Sequence, residues 1–176
     1  MSNQLTETHK IGTSRILLLL AVAVVISSIA GWYLLQPKGR GDLQAFSLTD
    51  LNGNTLLSTD LRGKVVVLDF MATWCGPCKT QMSSLKTIWE KYGNNIHMIS
   101  TDVDPSESVN TLKAYVQQFT YATWKWTRDT ANLANTYEVA AIPTIVIMDP
   151  NGYTRFTHIG VTDSTTLIRE IDSLMT

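Results

Sequence analysis

The chain has two cysteines, and both lie in one pentapeptide, Trp74-Cys75-Gly76-Pro77-Cys78. Side chains three positions apart meet on one face of a helical turn, so the two sulfurs can join and part as a reversible disulfide. The chemistry this pair offers is thiol–disulfide exchange. Two other uses of a Cys-x-x-Cys pair compete with it. Zinc wants about four ligands, and beyond the cysteines the chain offers His9, His97 and His158. A purely structural crosslink over so short a loop would remove little entropy from the unfolded chain. Catalytic redox use is the reading these comparisons favour, and no metal or other cofactor is expected.

The flanking residues must position the pair. Lys64 to Met71 is a β-branched apolar run of strand length, and from Cys78 onward Met82, Leu85, Ile88, Trp89 and Tyr92 fall on one helical stripe that Gly93 closes. The cysteines therefore sit where a strand hands over to a helix N-terminus, whose dipole and unpaired amides favour an anion. Cys75, the outer sulfur, is expected to ionise more easily and act as nucleophile, and Cys78 to be the shielded resolving thiol. Pro77 is compatible with a first helical turn, where its missing N–H costs nothing.

With 176 residues and a net charge of −1, the chain has room for one domain and an appendage. No basic excess points to nucleic acid. Ile16 to Leu35 carries no charge over about 20 residues and is read as a transmembrane signal anchor, with Trp32 and Tyr33 at its interfacial end. A cleaved signal peptide is the alternative, with Ser28-Ile29-Ala30 as cleavage site, but its apolar core would be unusually long. The expected organisation is a tail over 1–15, the anchor over 16–35, a polar linker over 36–43 and a redox domain over 44–176. Basic residues tie across the span, and Arg15 abutting it places the redox domain outside the cytoplasm of a single-pass membrane protein.

The rest of the chain alternates strands and helices. Phe46–Thr49 and Thr55–Leu57 flank the turn signal Asn52-Gly53 and predict a hairpin. A strand is expected over Asn95–Thr101, and a helix from Asp104-Pro105-Ser106 with Val109, Leu112, Val116 and Phe119 on one face. Thr123–Thr127 reads as a short strand and Asp129–Tyr137 as a short helix. Ile142–Met148 and Tyr153–Ile159 form a second hairpin, and Ser164–Met175 a closing helix.

Asp69-Phe70, Trp74-Cys75-Gly76-Pro77-Cys78-Lys79 and the later Ala141-Ile142-Pro143-Thr144 together resemble thioredoxin. The opening Phe46-Ser47-Leu48-Thr49-Asp50, the Leu61-Arg62-Gly63-Lys64-Val65-Val66 run and the extra helix and strand before the proline are similar to the membrane-anchored TlpA/ResA-type thiol-disulfide oxidoreductases. The resemblance implies an α/β thioredoxin-like fold. Its parts are a central mixed sheet flanked by helices, an N-terminal β-hairpin extension, a helix–strand insertion and a cis Ile142–Pro143 bond, all preceded by the transmembrane helix. The chain departs from that branch at Met71, where Trp is usual, at Gln81-Met82-Ser83, where Glu-Met-Pro is common, and at Asp69, where Asn is more frequent. Asp69 matches the buried acid of thioredoxin, whose lysine partner has no clear counterpart in His97-Met98-Ile99-Ser100.

On this reading Cys75 thiolate attacks a substrate disulfide, and Cys78 resolves the mixed disulfide. Asp69 is the candidate base for the Cys78 proton, because a carboxyl in apolar surroundings holds its proton more tightly than in water. Its alternative is a solvated strand-end aspartate. Trp74, Gly76, Pro77, Ile142 and Pro143 are the expected substrate-binding residues, with the Ile142 backbone offered as a strand-addition edge. Trp74 could instead be merely packed, and Pro143 an ordinary trans turn proline. Trp124 and Trp126 are assigned to the core, and His97 and His158 to structural roles. The expected partners are cysteine-containing protein substrates, apocytochrome c among them, a membrane or extracytoplasmic dithiol electron donor, and the membrane itself through the N-terminal helix. The Gly76-Pro77 dipeptide between the cysteines resembles the reducing end of the superfamily rather than its strong oxidants, which implies a reductase. A copper metallochaperone using Cys75, Cys78 and a histidine is the competing function.

Overall fold

The computed structural model describes residues 13–35 and 44–175. They fall into two units, 13–35 and 44–175.

The first unit holds one helix, α1 (Thr13–Leu35). The expected membrane anchor over 16–35 is overturned: among the described residues, no helix is long and apolar enough to cross a membrane. Within α1 the Ser27 and Ser28 hydroxyls donate back to the Val24 carbonyl at 2.9 and 2.8 Å. With the anchor go the single-pass membrane location and the membrane as a partner. The tail 1–12, the linker 36–43 and the side chains of Trp32 and Tyr33 lie outside the described residues.

The second unit opens on a hairpin, β1 (Ser47–Thr49) and β2 (Thr55–Leu57), paired antiparallel. Its turn is held by the Asp50 carboxylate, which accepts from the Asn52 and Asn54 amides at 2.8 and 2.9 Å, while Gly53 supplies the positive φ of +86°. The main sheet has five strands in the order β5 (Lys125–Arg128), β4 (His97–Asp102), β3 (Val66–Met71), β6 (Thr144–Met148), β7 (Thr154–Ile159). β3 runs parallel to β4 and antiparallel to β6, so the sheet is mixed, as expected.

Every residue of β3 is buried, because both faces of the central strand are covered. Alternation sends Val67 and Met71 to one core with Cys75, Cys78, Met82 and Leu85 of α2 (Gly76–Tyr92). It sends Val66, Leu68 and Phe70 to a second core with Leu48 and Leu56 of the hairpin. α5 (Ser164–Leu174) joins the first core through Leu167 and Ile171. Trp124 and Trp126 lie in that core with rings stacked 5.7 Å apart.

Two helices are shorter than the sequence pattern suggested. α3 covers Val109–Val116 and is capped by Ser108, because Asp104 and Ser106 close a local turn instead: the Asp104 carboxylate accepts from the Ser106 amide and hydroxyl at 2.8 and 2.6 Å. Its buried residues are Leu112 and Tyr115, and Val109 is 42% exposed, so the inward face is rotated from the one expected. α4 is a single turn (Leu133–Thr136), started by Asp129, whose carboxylate accepts from the Leu133 and Ala134 amides at 2.6 and 2.8 Å.

Candidate active site

The Lys64–Met71 run becomes β3, and four residues later the chain enters α2 with Cys75 as its N-cap. The Cys75 amide donates to the Ala72 carbonyl at 3.1 Å, and the Cys75 sulfur accepts the Cys78 amide at 3.1 Å. Cys75 and Cys78 are joined in a disulfide. They are 4% and 2% exposed, so solvent access does not distinguish them. What does is the helix terminus: an amide of the first turn points at the Cys75 sulfur, where it would stabilise a thiolate.

Asp69 lies on the face of β3 that α2 covers, and it is 2% exposed. The solvated strand-end alternative is therefore removed. Burial pushes its carboxyl up to about 7, against a smaller opposing effect of the Ser100 hydroxyl, which donates to Asp69 Oδ2 at 2.7 Å. Ser100, directly across from Asp69 in the β3–β4 register, is its partner. Ser100 in turn accepts from Trp124 Nε1 at 2.9 Å. A neutral partner lacks the charge that would hold the acid ionised, and Asp69 Oδ1 has no hydrogen-bond partner.

The Ile142–Pro143 bond is cis. Thr144 pairs with Phe70, so Pro143 stands at the C-terminal end of β3, the end from which the redox loop departs. The Pro143 carbonyl accepts the Gly160 amide at 2.8 Å. Trp74 is 66% exposed rather than packed, with its indole Nε1 donating to Asp104 Oδ2 at 2.7 Å. Hydrogen bonds from Ser106 and then Trp74 hold the Asp104 carboxyl below its usual range.

Several contributors escaped the sequence reading. The Thr73 hydroxyl and amide donate to the Glu107 carboxylate at 2.6 and 3.3 Å, so the segment between β4 and α3 grips the redox loop at two adjacent residues. Behind it Asp102 is buried, and burial with the Glu107 charge pushes its carboxyl up. Gln81, fully buried in α2, clamps Thr162 through both halves of its amide, accepting the Thr162 N–H at 2.7 Å and donating to its carbonyl at 3.1 Å. A polar residue beside an apolar stripe was the one local signal for Gln81. The Thr73 and Trp74 contacts join residues thirty or more positions apart and left none.

Among the described residues, no group of three or more His, Cys, Asp or Glu is placed to hold a metal ion. His158 Nε2 meets Glu170 Oε2 at 2.7 Å, and burial lowers the pKa of His97.

A disulfide at a helix N-cap, beside a buried acid and a cis-proline at the end of the central strand of a mixed sheet, defines a thioredoxin-fold thiol-disulfide oxidoreductase. Residues 41–157 match the AhpC/TSA family, and the chain belongs to it. Its domain is ResA/TlpA-like, within the thioredoxin superfamily. It is 33% identical over 142 residues to a thiol-disulfide oxidoreductase ResA of Bacillus cereus, covering 78% of this chain and 80% of that protein. It is 25% identical over 158 residues to thioredoxin-like protein YneN of Bacillus subtilis (strain 168), covering 85% and 92%. The exposed lipoprotein thioredoxin Etrx1 of Streptococcus pneumoniae strain TIGR4 shares the fold, with a TM-score of 0.66 at 23% identity over 74% of this chain and all of that one.

Proposed function

We propose that this oxidoreductase reduces disulfides in cysteine-containing polypeptides, with Cys75 as nucleophile and Cys78 as resolving thiol. The observation that carries the reading is the Cys78 amide aimed at the Cys75 sulfur, which favours the thiolate at Cys75 and not at Cys78. Cys75 thiolate attacks one substrate sulfur, and the other leaves with the electron pair. Cys78 then gives its proton to Asp69 and attacks Cys75, the Cys75–substrate bond breaks, and the second substrate sulfur departs reduced. The site ends as the Cys75–Cys78 disulfide, which a dithiol donor must reduce before the next turnover. Asp69 suits the proton step because it lies on the α2 side of β3 and burial brings its affinity near that of a base working at neutral pH. Exposed Trp74, with Gly76 and Pro77, offers a docking surface, and the Ile142 backbone before Pro143 an edge for an extended segment. A Cys-x-x-Cys-His haem-attachment segment, as in apocytochrome c, is the substrate favoured.

The test uses a Cys78→Ser variant, reduced and then offered an oxidised Cys-x-x-Cys-His peptide. A mixed disulfide through Cys75 should accumulate and survive non-reducing separation, whereas Cys75→Ser should trap far less. Equal trapping by the two variants would reverse or abolish the assigned roles.

A further inference from the structure

Asp69 Oδ1 and the Tyr115 hydroxyl are both buried, and neither has a hydrogen-bond partner in the chain. Buried polar groups are rarely left so, and two orphans on one sheet face can share a bridging water. Tyr115 comes down from α3 onto the sheet face that Asp69, Ser100 and Asp102 share by strand alternation. Its ring is held by Phe119 and Trp126, with centroids 5.1 and 6.1 Å away, and its residue is 3% exposed. Asp69 is hydrogen-bonded by Ser100 of β4 and stands in register with apolar Ile145 of β6, and the core on its face of the sheet includes Cys78 from α2 and Tyr115 from α3. Beyond Tyr115 stand Glu107 and Asp102, with Arg128 facing Asp102.

We propose that the Tyr115 hydroxyl, through one buried water, donates to the ionised Asp69 carboxylate and is the positioning residue that lets Asp69 take up and release the Cys78 proton. Ser100 supplies one donor to Oδ2, and the Tyr115 arm supplies the second, at Oδ1. Burial, with the Asp69 charge as its next cause, raises the Tyr115 pKa, so the phenol stays a neutral donor throughout. In the resolving step the proton leaves the Cys78 sulfur for Asp69 as the Cys75–Cys78 bond forms. It leaves Asp69 afterwards along the water that Tyr115 holds. The kinetic part of this inference rests on Asp69 serving Cys78; the coupling of Tyr115 to Asp69 does not.

The test is Tyr115→Phe, which keeps the ring and removes only the hydroxyl. Carboxyl 13C NMR of the oxidised protein should show the Asp69 midpoint rising by about 0.5–1 pH unit, because the ionised form loses a donor. Resolution of a preformed mixed disulfide at pH 7 should slow about two- to fivefold, with the wild-type rate recovered at high pH. In an Asp69→Asn background the same change should leave the pH profile unaltered. An unmoved Asp69 midpoint in Tyr115→Phe, with only stability changed, overturns the proposal. A moved midpoint in a protein whose resolution rate is indifferent to Asp69→Asn would keep the Tyr115–Asp69 coupling and remove the role of Asp69 as base.

Discussion

Asp69→Asn should stabilise the oxidised protein, and by an amount that grows with pH. The Asp69 carboxyl titrates at about 7 in the fold against an ordinary value of 3.8. Because the folded-state value lies above the unfolded one, the folded protein holds the proton more tightly. The stability this confers is complete below the unfolded value and is lost as pH rises through the folded one. At ~1.4 kcal/mol per pH unit, the gap corresponds to a penalty of about 4 kcal/mol once the group is ionised, roughly two-fifths of which has developed by pH 5. Asparagine cannot ionise and keeps an acceptor for the Ser100 hydroxyl. Its amide would take the Oδ1 position, which has no acceptor within the chain, at a pH-independent cost of about 1–3 kcal/mol. The net gain at pH 8 is therefore about 1–3 kcal/mol, shrinking or reversing at pH 5. Urea unfolding of both proteins at pH 5, 6.5 and 8 reads the difference directly, and titrations elsewhere cancel. A difference that does not change with pH would refute the reasoning, because burial of an ionisable carboxyl is its only source of slope.

Two further outcomes follow from the surroundings of the disulfide. Trp74→Ala removes an exposed indole, so stability should move by about 0.5 kcal/mol or less, while kcat/KM for a polypeptide disulfide should fall about tenfold, more than for a small aromatic disulfide; parallel kinetics on the two substrates check it, and equal losses would remove Trp74 from docking. Gln81→Ala leaves the Thr162 N–H and carbonyl without their side-chain partners and should cost about 1–3 kcal/mol in chemical denaturation.

The TlpA/ResA-like domain shows how differently strands and helix starts declare themselves. β3 was readable because a central strand needs nothing beyond a continuous apolar run, and the second hairpin because Asp149-Pro150-Asn151-Gly152 can do little except turn. The start of α3 was not. Asp104-Pro105-Ser106 suits a helix opening as well as a closed local turn, and the turn won: the Asp104 carboxylate takes the Ser106 amide and hydroxyl on one oxygen and the Trp74 indole, thirty residues away in sequence, on the other. The N-terminal apolar run misled in another way: composition pointed to a membrane span, whereas no described helix is long and apolar enough to cross one.

By itself the sequence determined the redox pair, the strand before it and the helix after it, because those depend on spacing and periodicity within one short segment. Asp69 as a candidate was also legible, six residues upstream of Cys75. Whether it faced solvent or α2 depended on which side of β3 each helix covers, and that is decided only when β4, β6 and the helices close around the strand. The same closure chose Ser100 as its neutral partner, set Tyr115 above the sheet, and brought Glu107 to Thr73 and Gln81 to Thr162. Each of these joins residues far apart in the chain, and no local pattern encodes a contact whose formation waits on the packing of the whole domain.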